Sequence, residues 1–116
     1  MLMQAFAPLA AANSTFANSI AVNAALTNTA TALPVTSQSA NQVRIANLSG
    51  GAIAVVFGQT AAQAVAVFPT NGAPANGLVM AVNSIEVFTV PPQAAYIGII
   101  GLVASGTVYV SQGEGV

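Results

Sequence analysis

Three charged side chains in 116 residues constrain this chain more than any other feature of its sequence. Arg44, Glu86 and Glu114 are the only ones, and there is no Lys, Asp or His. Charged residues make up 3% of the chain, where an ordinary domain carries roughly a quarter. A net charge of a few units normally keeps small domains apart in solution. A surface without that protection either depends on Asn, Gln, Ser and Thr for solubility or is covered by partners in the working state, and the second reading is favoured. One arginine and no lysine cannot neutralise a nucleic-acid backbone or an anionic membrane, so neither is expected as a partner.

The same scarcity bounds the chemistry. Acid–base catalysis needs a titratable group poised near neutral pH, and only Glu86 and Glu114 are on offer. Both read as solvated, Glu86 on a strand beside Phe88 and Glu114 in a Gly-Glu-Gly tail. A serine or threonine nucleophile would find no other base. Without His, Cys or Asp, zinc and calcium sites are not expected, and Gly98, Gly101 and Gly106 lack the spacing and the lysine of a phosphate loop. No catalytic residue, cofactor or metal is therefore expected. Asn13-Ser14-Thr15 and Asn47-Leu48-Ser49 match the glycosylation sequon, with nothing else pointing to a secretory route.

Hydrophobic residues form 55% of the chain, so insertion in a bilayer has to be weighed. The longest apolar run, residues 94–104, has eleven residues including two glycines, whereas a spanning helix needs about 20. Residues 1–12 lack a basic start and are interrupted by Gln4 and Pro8, which makes a weak signal peptide. The scattered aromatics form no girdle of the kind a membrane barrel carries. No membrane association is expected.

Along the chain, residues 1–18 are Ala-rich without a clear period and read as an apolar arm carrying Phe6, Leu9 and Phe16. Such an arm packs on its own domain or reaches a neighbour. Residues 19–116 read as one domain of strands and turns. Residues 19–24 place Ile20 and Val22 on one face, and 27–35 alternate Thr29, Thr31 and Leu33 against Ala30 and Ala32. Residues 42–48 set Val43 and Ile45 against Arg44. Ser49-Gly50-Gly51 then reads as the turn of a hairpin whose second strand is 52–57. Residues 61–68 are ambiguous, with a strand expected over 64–68, and 69–77 read as a loop. Strands over 78–82 and 85–90 flank Asn83-Ser84, and Pro91-Pro92 stops the second. Strands over 95–100 and 107–111 flank Ala104-Ser105-Gly106, and 112–116 read as irregular. About seven to nine short strands without a long helix predict an all-β fold, an antiparallel β-sandwich that is jelly-roll-like.

The pattern from Gln42 onward, QVRIANLSGGAIAVVFG, SIEVFTVPPQAAYIGIIG and SGTVYVSQGEG, covers about two-thirds of the chain. It resembles the small cement, or decoration, proteins of tailed-bacteriophage capsids. The resemblance implies a jelly-roll-like sandwich that assembles as a homodimer or homotrimer on the outer surface of the mature head. There it would bridge neighbouring copies of the major capsid protein, having been made in the host cytoplasm. The alternatives are another virion subunit (fibre, tail or shell) and a carbohydrate-binding sandwich stacking sugars on Tyr96 or Tyr109. Candidate partner contacts are Phe6, Leu9 and Phe16 of the arm, Asn71 and Asn76 of the loop, and Arg44 and Glu86. The last two are read as facing away from the core, where they either pair across neighbouring strands or each meet a partner.

Overall fold

The computed structural model describes residues 7–8, 18–33 and 42–114. Among these the chain forms nine strands and no helix: β1 (Ala7–Pro8), β2 (Ser19–Asn23), β3 (Thr29–Ala32), β4 (Gln42–Ser49), β5 (Ile53–Gly58), β6 (Leu78–Met80), β7 (Ile85–Thr89), β8 (Tyr96–Gly101) and β9 (Gly106–Glu114). All pairings are antiparallel. The first sheet runs β2-β9-β4-β7, with β1 continuing along the β9 edge beyond β2, and the second runs β3-β8-β5-β6. From β2 to β9 successive strands alternate between the sheets except at β5 and β6, which are consecutive and paired in the second sheet. The pairs β2–β9, β3–β8, β4–β7 and β5–β6 nest around the β5–β6 connection, as in one long hairpin rolled into two layers. The fold is an all-β antiparallel sandwich.

The layers meet through alternate residues. Val43 and Ile45 of β4, Val108 and Val110 of β9 and Val22 of β2 face Ile53 and Val55 of β5, Ile97 and Ile99 of β8 and Met80 of β6. Most of these are β-branched, stiff at χ1 and suited to a pleated surface. Apolar burial between the sheets supplies the main driving force.

Three expectations are corrected. Residues 42–57 are not a hairpin: β4 pairs with β7 and β9, β5 with β6 and β8, so Gly50 and Gly51 carry the chain from one sheet to the other. A Gly-rich turn supplies the reversal in either case, and burying both β4 and β5 faces against each other decides for the crossing. No strand forms over 64–68, which run extended without a ladder. The end is not irregular as far as Glu114, because β9 is held on both edges. Gly113 pairs with Gln42 on one side and Pro8 on the other, and the Gln112 amide donates to the Asn18 carbonyl at 2.8 Å.

Candidate functional site

Every second connection of the sandwich, β2–β3, β4–β5, β6–β7 and β8–β9, lies at the same end. These loops are tied to one another by backbone bonds, among them Gly101 N to Ala25 O at 2.8 Å, Gly50 N to Ser105 O at 2.9 Å and Leu102 N to Ala52 O at 3.0 Å. Beneath them Asn47 is fully buried. Its amide nitrogen donates to the carbonyls of Gly51 and Ala81, both at 3.0 Å. Its oxygen accepts from the Ser49 hydroxyl at 2.6 Å and the Ser49 amide at 3.1 Å. Both hydrogens and both lone-pair directions of one side chain are thus used to pin two sheet-crossing corners. A glycan cannot be carried there, which disposes of that sequon; Asn13 lies outside the described residues. The loop tips themselves are apolar and uncharged: Leu26, Val82, Leu102 and Val103 are all exposed.

A second apolar zone lies on the outside of the β3-β8-β5-β6 sheet. Residues 59–77 fold back over it as a flap. A Cβ at Gly98 of β8 would overlap the Ala64 carbonyl, and one at Gly58, the last residue of β5, would press on the Ala64 amide, so flap and sheet touch backbone to backbone. Asn28 replaces the missing strand partner. Its amide nitrogen donates to Ala64 O at 3.0 Å and its oxygen accepts from Ala66 N at 2.8 Å, copying the paired bonds of an antiparallel ladder. Ala64 and Ala66 are buried while Val65 and Val67 point outward and stay exposed. Asn71 sits exposed in the turn closed by the Ala73 to Thr70 bond of 2.9 Å. Asn76 is also exposed and lends its carbonyl to Val67 N at 2.9 Å. The two asparagines shape the flap and are not joined by any other predicted contact residue.

The third zone is the outer face of the β2-β9-β4-β7 sheet, which nothing among the described residues covers. The register lays Ala21, Tyr109, Ala46 and Ile85 side by side in one row, and Ser19, Ser111, Arg44 and Val87 in the next. Leu48, Ile85, Val87 and Tyr109 are each close to half exposed. Arg44 is exposed among them and makes no hydrogen bond or ion pair within the described residues.

The expected Arg44–Glu86 pairing fails on register. Their strands are neighbours, but Arg44 stands opposite Val87, and Glu86 opposite Ile45, a core residue. The two charges therefore project from opposite faces of the sheet, and Glu86 points to the core side instead of away from it. It remains exposed because β7 is the edge of the sheet. An inward-pointing charge on an edge strand obstructs pairing with a further strand. Phe6, Leu9 and Phe16 lie outside the described residues. The described parts of the 1–18 segment, Ala7–Pro8 and Asn18, bond to β9 of the same domain. Tyr96 and Tyr109 belong to the outer faces of different sheets, so each would have to serve a sugar alone.

Sequence reading had missed the loop tips, the structural parts played by Asn28 and Asn47, and Leu48, Ile85 and Val87 as surface residues. One signal was present: in β7 apolar residues occupy both parities, so the strand must expose some of them whichever face it buries. Among the described residues no three side chains of metal-ligating type gather.

Fold and surface together define an all-β sandwich whose two broad outer sides and one end are apolar and nearly free of charge. No protein-family model matches the chain, no curated protein matches it, and no solved structure matches it.

Proposed function

We propose that this chain is a structural virion protein, a capsid cement or decoration protein that binds the outside of a phage head and bridges neighbouring major capsid proteins. The observation that carries this reading is the presence of three separate apolar zones on one small domain, two broad sides and the loop end, with Arg44 the one charge identified on them among the described residues. A molecule made sticky on several sides can hold two neighbours at once. Each second contact then benefits from the effective concentration set by the first. Permanent interfaces of this kind resemble a domain core cut in half, and exposed Val, Leu, Ile and Tyr on rigid strands suit them. The strand pattern from Gln42 onward, similar to that of capsid cement proteins, supports the same reading. In it the chain is not an enzyme, associates with its own copies as a dimer or trimer, and resides on the outer capsid surface.

The test is a copy count in purified particles of the virus that encodes the chain. A cement protein is present at a fixed multiple of the shell subunits and is absent from shells that have not matured. A copy number typical of a tail or fibre, or absence from particles, rejects the reading.

A further inference from the structure

We infer that the outer face of the β2-β9-β4-β7 sheet docks a different protein, one that presents a carboxylate inside an apolar surface. This deepens the cement reading and rests on it.

The argument begins with the polar groups of the face. Ser19 and Ser111 hydroxyls bond each other at 2.9 Å, and Thr107 Oγ1 donates to Asn23 at 3.3 Å. These groups are satisfied across β2 and β9. Arg44 is not, and it is the chain's sole cationic side chain. Its neighbours on the face are Val87 on one side and Ser111 on the other, with Ala46 two residues along the strand and Ile85 and Tyr109 on the diagonals. Any partner that covers those apolar residues also covers the guanidinium. A buried cation without a counter-charge is strongly unfavourable, whereas a guanidinium meeting a carboxylate makes two parallel charge-assisted bonds.

A second copy docked through the same face does not meet that requirement. The described residues of this face, from β2, β9, β4 and β7, include no carboxylate, and Glu86 projects from the other side of the sheet. Face-to-face self-association would bring two unpaired Arg44 side chains into one apolar interface. The face thus selects a foreign surface, which in the cement reading is the major capsid protein, and self-association is left to the loop end and the flap.

The experiment is binding of the purified full-length protein to expanded shells stripped of it, for wild type, Arg44→Gln, Arg44→Lys and Glu86→Gln, with sedimentation velocity of each alone. Arg44 and Glu86 are exposed, so all four proteins should fold alike, checked by circular dichroism. Arg44→Gln should weaken shell binding roughly thirtyfold or more, as expected when one partner of a covered charge pair is lost. Arg44→Lys should recover part of the loss, Glu86→Gln should bind like wild type, and self-association should be unchanged throughout. Wild-type binding by Arg44→Gln overturns this inference and leaves the cement reading standing. Tighter self-association of Arg44→Gln also overturns it, by showing the face to be a self-interface. Failure of the wild type itself to bind shells rejects the cement reading and the inference with it.

Discussion

At the scale of single residues, the most exacting position is Asn47. Its amide meets two carbonyls with its nitrogen and two donors with its oxygen, in a site sealed from water. Asn47→Ala leaves the Ala81 carbonyl without its amide partner and should cost roughly 3 kcal/mol in urea unfolding, since each orphaned buried polar group costs about 1–3 kcal/mol. Asn47→Asp should be at least as harmful, because a carboxylate cannot donate to the Gly51 and Ala81 carbonyls and would face their oxygens in a desolvated place. A change in unfolding free energy under about 1 kcal/mol for either would show that the network does not hold the corners. In the sequence Asn47 is legible only as part of a sequon. The spacing to Ser49 is visible, but the partner at Ala81 is reached only after the chain has crossed to the second sheet and run through β5, the flap and β6. Gly106 is a comparable case. Its φ of +80° and the contact of its would-be Cβ with the Ser49 backbone make glycine necessary at the start of β9.

At the scale of elements, the flap is the part least legible in the sequence. Residues 64–68 alternate in the manner of a strand, and in the structure Ala64 and Ala66 are indeed buried while Val65 and Val67 are exposed. The period was right and the ladder was wrong, because the side chain of Asn28 supplies the bonds a neighbouring strand would have given. Asn28→Ala leaves the buried Ala66 N–H without an acceptor and should destabilise the protein by about 1–3 kcal/mol. Gly98→Ala drives a methyl into the Ala64 carbonyl and should cost a similar amount, about 1–3 kcal/mol. Hydrogen exchange should show both variants losing protection over residues 64–67 while β4 and β9 keep theirs. Because both act on one contact, their effects should not add. Loss of protection spread evenly over the sandwich would mean that the flap is not a separate layer. The β4–β5 segment shows the complementary limit. Residues 42–48 and 52–57 both form strands as the sequence predicts, and in the first Val43 and Ile45 are the buried parity. Which sheet each joins depends on partners between 23 and 71 residues away, from Leu78 for Val55 to Gly113 for Gln42, and no local turn chemistry encodes that.

At the scale of the whole molecule, the fold class was legible and the working surface only partly so. Short alternating strands with Gly and Pro between them lead to a sandwich by geometry alone. The scarcity of charge points to an apolar surface, but the division of that surface into zones requires the register. Arg44 is legible in the sequence as an outward-facing charge, whereas its separation from Glu86 by the thickness of the sheet requires the register. Attachment carried by three apolar zones and one enclosed ion pair should depend little on ionic strength, because covered pairs are screened far less than exposed ones. The central claim is that this domain works by being held between other subunits through largely apolar surfaces. Its most direct test is rebinding of the purified protein to stripped, expanded shells at low and at molar salt. Saturation at a fixed number of copies per shell, with nearly the same affinity in both conditions, is the predicted result. Binding that never saturates, or release at molar salt, would contradict it.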